Sequence, residues 1–222
     1  MKIAAQLVLI DLDGTLVDSV PDLGHAVDAM MDELGLPKHG DQKVRNWVGN
    51  GVVRLVKRAL TEDLHAEPDT ALFDKAYPIF LKHYTAVNGQ YSQLYPGVLD
   101  GLNYLQAKGC HIGCVTNKAE DFTLPLLKTL GILDKFGVVV SGDTLPQKKP
   151  QPEPLWYAAK HFGVAAEQAL MVGDSMHDVQ AARAAGFAVV AVPYGYNHGV
   201  DIRQAKPDHV IDSLAQLSEL LA

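Results

Sequence analysis

Side chains able to do acid–base, nucleophilic or ion-binding chemistry stand at four places where short apolar runs end. The first is Asp11-Leu12-Asp13-Gly14-Thr15-Leu16, two carboxylates two residues apart, followed by a glycine that permits a tight turn. A polar turn accounts for D-x-D alone; the full string directly after an apolar run is a sharper signal. The second is Thr116-Asn117-Lys118, a hydroxyl and an amide for which loop capping is an equally available explanation. The third is Gln147-Lys148-Lys149-Pro150-Gln151-Pro152-Glu153-Pro154. It reads either as a surface loop entering a helix or as a rigid loop that delivers one ammonium, as a point charge, to a phosphoryl oxygen. The fourth is Gly173-Asp174-Ser175-Met176-His177-Asp178, an acidic pair after an apolar run. A helix N-cap explains one of these aspartates but not both.

In open parallel sheets ligands gather beyond the carboxyl ends of the strands, so these four segments are expected at one edge of one sheet. Carboxylate oxygens with water suit a hard, octahedral Mg²⁺ that bridges to a phosphate. A carboxylate nucleophile at Asp11 can form a covalent aspartyl-phosphate. Lys149, Thr116 and the cation would then screen the charge of the transferring group.

The elements that must position these residues follow from hydrophobic periodicity. LVLID (Leu7 to Asp11), HIGCVTN (His111 to Asn117), GVVVS (Gly137 to Ser141), ALMVGD (Ala169 to Asp174) and AVVAV (Ala188 to Val192) are continuous apolar runs. Such runs suit strands buried on both faces. Helix-like segments lie between them, carried by Val98, Leu102 and Leu105, by Leu155, Ala158, Ala159 and Phe162, and by Val179, Ala182 and Ala185. A last helix is expected over Asp212 to Leu221, with Asp212 as N-cap and Leu214, Leu217, Leu220 and Leu221 facing inward. The fold class is therefore α/β, a doubly wound parallel sheet.

Residues 19–90 differ, having several helical stripes and no strand-like run. Leu23, Val27, Met30 and Leu34 step by four, three and four, with Pro21 in a first turn and Gly35 at the end. Val52, Leu55, Val56 and Leu60 form a second stripe; Phe73, Tyr77, Phe80 and Tyr84 form a third, with a kink expected at Pro78. The division expected is an α/β core of residues 1–18 and 91–222 and a helical lid of residues 19–90.

Length and composition set the outer limits. At 222 residues the chain can form one sizeable α/β domain plus a smaller insert. A formal net charge of −7 gives no whole-molecule attraction to a nucleic-acid backbone or an anionic membrane, so positive charge for phosphate must be local. Cys110 and Cys114 sit in one apolar stretch, where their spacing on a strand keeps them beyond disulfide distance, and they are expected to be reduced thiols. The N-terminal segment is too short and turns acidic too soon for a signal peptide, and no apolar run reaches transmembrane length. A soluble, cytoplasmic protein acting as monomer or homodimer on a small-molecule phosphate ester, with no nucleic-acid or membrane partner, is the expectation.

The strings D-x-D-G-T-L, T-N, K-P-x-P and G-D-S-x-x-D resemble the four signature motifs of the haloacid-dehalogenase-like hydrolases, across essentially the whole chain. The resemblance implies Asp11 as nucleophile and Asp13 as general acid/base. It implies Thr116, Asn117 and Lys149 as phosphate-binding residues. Mg²⁺ would be held by Asp11, Asp174 and the backbone carbonyl of Asp13, with Asp178 supporting the metal shell or Lys149. Family members that cleave carbon–halogen or carbon–phosphorus bonds lack an acid at the position of Asp13. A phosphate ester's alkoxide needs a proton where a halide does not.

The helical insert looks like the family's α-helical cap. Trp47-Val48-Gly49-Asn50-Gly51, Arg54, the string Arg58 to Leu60, and Tyr194-Gly195-Tyr196-Asn197 resemble the bacterial phosphoglycolate phosphatases. The resemblance implies hydrolysis of 2-phosphoglycolate, with Gly49, Asn50, Gly51 and Arg54 reading the substrate; a plain helix–helix turn is the alternative for the glycines. Other functions are a phosphatase for a sugar phosphate, a β-phosphoglucomutase-like phosphotransferase, and a phospho-accepting switch module without turnover. Asp13 and the cap count against the switch, which gains nothing from a leaving-group acid.

Overall fold

The structure, a computed structural model, describes residues 2–222. From the N-terminus it runs β1 (Leu7–Ile10), β2 (Val17–Asp18), α1 (Val20–Glu33), α2 (Gly40–Trp47), α3 (Val52–Thr61), α4 (Thr70–Val87) and β3 (Gln93–Leu94). It continues with α5 (Val98–Ala107), β4 (His111–Val115), α6 (Glu120–Thr129), β5 (Val138–Val140), α7 (Glu153–Phe162), β6 (Ala169–Gly173), α8 (Met176–Ala185), β7 (Ala188–Ala191), β8 (His209–Val210) and α9 (Leu217–Leu220).

The main sheet has the order β5-β4-β1-β6-β7-β8, every pair parallel. Because side chains alternate along a strand, β1 feeds two cores. Val8 and Ile10 pack with Leu102, Leu105, Leu126 and Leu127 on one face. Leu7 and Leu9 pack with Leu155, Ala158, Val179 and Ala182 on the other. All four β1 side chains have no exposed surface, and each such burial contributes roughly 1.5–3 kcal/mol. The chain adds β4 and β5 on one side of β1 and β6 to β8 on the other, which opens a crevice at the carboxyl end of β1.

The four helices between β2 and β3 form a separate apolar cluster around Leu23, Val27, Met30, Leu55, Val56, Phe80 and Tyr84. Phe122 and Tyr196 join that cluster from outside it. The expected stripes therefore point inward, and α4 runs on through Pro78. Three strands show no apolar run in the sequence because each has only two residues: β2 and β3 pair antiparallel as a ribbon beneath the helical segment, and β8 extends the main sheet. The C-terminal expectation needs correction. Asp212 does not cap a helix; Ser213 accepts the Ala215 N–H, a 3₁₀ turn follows at Leu214–Gln216, and only Leu217–Leu220 is α-helical. Leu214, Leu217 and Leu221 are nevertheless buried, so the apolar pattern was met by a tighter turn. Cys110 and Cys114 are free thiols, and no described helix is long and apolar enough to cross a membrane.

Candidate active site

Asp11 is the first residue beyond β1, tied to β6 by its N–H to Val172 O at 2.9 Å. Its Oδ1 accepts the Leu12 N–H at 2.8 Å and faces Lys149 Nζ at 2.8 Å. The next turn closes on Leu12 O, which accepts from the N–H groups of Leu16 and Val17, both at 3.0 Å. Asp13 O takes none of the main-chain bonds of this turn among the described residues. Gly14 has φ +84°, and a Cβ there would lie 2.4 Å from Asp174 Oδ2, so both conformation and space demand glycine.

Lys149, 2% exposed, is the electrostatic centre of the edge. Its ammonium donates to Val115 O at 2.6 Å and Asp178 Oδ1 at 2.7 Å besides facing Asp11. Burial disfavours the charged amine, but the Asp11 and Asp178 carboxylates outweigh it and hold the pKa above the ordinary lysine range. Asp178 is fixed in turn by a reciprocal cap at the start of α8, its Oδ2 accepting from Ser175 N at 3.0 Å and Ser175 Oγ at 2.7 Å. Both oxygens of Asp178 are thus engaged, which suits support of Lys149. Asn117 Nδ2 donates to Lys149 O at 2.9 Å and steadies the lysine's backbone. Thr116, 4% exposed, accepts the Lys118 N–H on Oγ1 at 3.2 Å, which leaves its own proton for a ligand.

Asp174, at the end of β6, accepts from Thr15 Oγ1 at 2.9 Å on Oδ1 and from Tyr196 N at 2.6 Å on Oδ2. Asp11, Asp174 and Asp178 can each bring an oxygen within 4.8 Å of the others, a grouping able to hold a metal ion. Of these three carboxylates Lys149 pairs with two, Asp11 and Asp178, and among the described residues Asp174 has no cation of its own. Burial first, then the Asp178 charge, pushes the Asp11 carboxyl up to about 7 against the pull of Lys149. Burial, with Asp11 and Asp178, raises Asp174 well above the carboxylate range. Hard oxygen donors, surplus negative charge and the unbonded Asp13 carbonyl fit a divalent cation.

The cleft above these residues is lined by Asp11, Asp13, Thr116, Asn117, Lys149 and Asp174 below, and by Gly49, Asn50 and Gly51 above. Gly49, Asn50 and Gly51 have φ of 120°, 67° and 84°, three consecutive left-handed residues that bend the loop over the site. Arg54, expected beside them, does not line the cleft. Its guanidinium donates to Glu67 Oε1 at 2.6 Å and Leu64 O at 2.8 Å, directed away by the acidic partner the sequence reading passed over. Arg58, 4% exposed, holds the loop instead, donating from Nη1 to Trp47 O at 2.6 Å and Gly49 O at 2.9 Å.

Two further residues went unassigned in the sequence. Lys118 Nζ meets both Asp13 oxygens at 3.0 and 3.2 Å inside the cleft. Burial works against its charge, but Asp13 outweighs it and the amine is held above its usual range. Its signal was present, a cation directly after Thr116-Asn117. Tyr196 carries the N–H that orients Asp174, and backbone donors leave no trace in residue type.

Known proteins resemble the chain along nearly its whole length. The model of the family described as haloacid dehalogenase-like hydrolase matches residues 8–192. The chain is 58% identical to a phosphoglycolate phosphatase of Nitrosococcus oceani, over 98% of this chain and 96% of that one. It is 50% identical to a phosphoglycolate phosphatase of Thiobacillus denitrificans, over 94% and 92%. A crystal structure of a predicted phosphoglycolate phosphatase from Haemophilus somnus superposes with a TM-score of 0.91 at 36% identity, covering 97% of each chain.

Proposed function

The chain belongs to the haloacid dehalogenase-like hydrolases, and from that premise we propose that it hydrolyses 2-phosphoglycolate to glycolate and phosphate in the cytoplasm. The observation that carries this reading is the side-by-side placing of Asp11 on Lys149 and Asp13 on Lys118, beneath the Gly49–Gly51 loop. Relatives bearing that activity's name along nearly the whole chain support the substrate.

Asp11 attacks phosphorus, forming an aspartyl-phosphate as the bond to the alkyl oxygen breaks. Asp13 gives its proton to the departing glycolate oxygen and then takes one from the water that attacks the phosphoenzyme. That water's oxygen ends on phosphorus, and Asp11 is released as carboxylate. Thr116 donates to a phosphoryl oxygen, and Lys149 holds positive charge at the edge where Asp11 reacts. Asp11, Asp174 and the Asp13 carbonyl would hold Mg²⁺, which supplies positive charge against the phosphoryl oxygens when bound. Residues 19–90 act as a cap that excludes water, with the Gly49–Gly51 amides facing the substrate's carboxylate.

The test is kcat/KM over a panel of small phosphates with Mg²⁺, measured as free phosphate. The reading expects 2-phosphoglycolate to lead sugar phosphates by about tenfold or more, a difference of roughly 1.4 kcal/mol. A sugar phosphate in first place, or transfer to a sugar hydroxyl without phosphate release, would replace it.

A further inference from the structure

Lys118 has a place that the proposed mechanism does not use. Its backbone is locked from three directions: N donates to Thr116 Oγ1 at 3.2 Å, while O accepts from Gly142 N at 2.7 Å and Thr123 Oγ1 at 3.2 Å. Its side chain is 2% exposed, and its ammonium lies 5.1 Å from the centre of the Tyr84 ring, a fully buried residue of the helical segment. A lysine side chain is ordinarily free about four bonds; here a fixed backbone and an aromatic roof remove that freedom. What it points at is Asp13, offering donors to both carboxylate oxygens, at 3.0 and 3.2 Å. Among the described residues no other hydrogen bond reaches the Asp13 side chain.

We propose that Lys118 is a positioning residue: it holds the Asp13 carboxyl in the orientation from which it serves the leaving oxygen. This rests on the reading of Asp13 as general acid/base. Proton donation depends on placement to a fraction of an ångström, and a carboxyl on a turn with no other anchor needs one. Because Tyr84 forms the far wall, the anchor is complete only with the helical segment in place.

The experiment compares Lys118→Met, Asp13→Asn and the double variant on three substrates, by kcat/KM, which reports the steps through leaving-group expulsion. 2-Phosphoglycolate and 2-hydroxyethyl phosphate have alkoxide leaving groups that need a proton, and only the first has a carboxylate. p-Nitrophenyl phosphate has a leaving group that departs unaided. Lys118→Met is expected to lose about 10²-fold on both alkyl esters and less than tenfold on the aryl ester, and to add nothing to Asp13→Asn. Equal loss on all three substrates makes Lys118 a merely structural residue and overturns the proposal. Loss confined to 2-phosphoglycolate makes it a carboxylate reader and overturns it as well. If Asp13→Asn is itself indifferent to the leaving group, the acid/base reading fails and the proposal goes with it. If Asp13→Asn discriminates and Lys118→Met does not, only the proposal fails. Lys118→Leu, apolar and likewise without a donor, takes the place of Lys118→Met should that variant not fold, with the same outcomes deciding.

Discussion

The main-chain N–H of Tyr196 donates to Asp174 Oδ2 at 2.6 Å, while the phenol oxygen of the same residue accepts from Ser19 N at 2.9 Å and Val20 N at 3.3 Å. One residue therefore orients a carboxylate of the acidic cluster and caps the first helix of the insert. Ser19, the formal N-cap of α1, makes no side-chain cap bond of its own. Arg45 adds a clamp, bonding Asp18 at 3.0 Å and lying 5.0 Å over the Tyr196 ring.

Tyr196→Phe keeps the ring and the bond to Asp174 but leaves two buried N–H groups without their acceptor. An unsatisfied buried donor costs about 1–3 kcal/mol. At roughly 2–4 °C per kcal/mol for a chain of this size, a fall in Tm of about 3–10 °C is expected by calorimetry. An unchanged Tm would show that the phenol oxygen does not hold the helix start.

The core motifs were legible in the sequence because a parallel sheet sends every strand's carboxyl end to one edge. Asp11, Thr116 and Asp174 follow β1, β4 and β6, which are immediate neighbours, so motif order translated directly into proximity. The apolar stripes of the insert were legible for a similar reason, since each helix buries one face. The cap contacts were not. Arg54 and Arg58 lie four residues apart on α3, one turn of the same helix, and residue type alone does not say which meets the loop. The answer depends on Glu67, thirteen residues on from Arg54, and on carbonyls that any sequence supplies.

This distinction is measurable. Arg58→Met removes the donor shared by Trp47 O and Gly49 O and frees the loop over the cleft. KM for 2-phosphoglycolate is expected to rise about tenfold or more, on a loss of roughly 1.5–3 kcal/mol for bonds from a charged group, with kcat changed less. Arg54→Ala removes an exposed pair with Glu67 and should leave KM within about threefold of wild type. A larger effect from Arg54→Ala would restore Arg54 as the anion partner.

Acidity and metal binding are linked at Asp11. Its carboxyl is pushed up to about 7 by burial in the folded chain, well above the ordinary aspartate value of 3.8, and Asp174 moves in the same direction. A proton thus favours the folded form, and the stability it gives is lost as pH rises through about 7. A cation needs the deprotonated oxygens and replaces that proton. The rise in Tm on adding Mg²⁺ is therefore expected to be small at pH 5.5 and larger at pH 7.5. There, at one hundred times Kd, it corresponds to about 2.7 kcal/mol. Equal increments at both pH values, or an undiminished increment in Asp174→Asn, would place the cation elsewhere.

The central claim is a covalent phosphoryl group on Asp11. Acid quenching during turnover of 2-phosphoglycolate, followed by borohydride reduction, converts an aspartyl-phosphate to homoserine that mass spectrometry locates by peptide. Homoserine is expected at position 11 in the wild type. In Asp11→Asn it should be absent, with kcat reduced about 10³-fold or more and the fold intact by circular dichroism. Homoserine at another aspartate, or near-wild-type turnover in Asp11→Asn, would contradict the account.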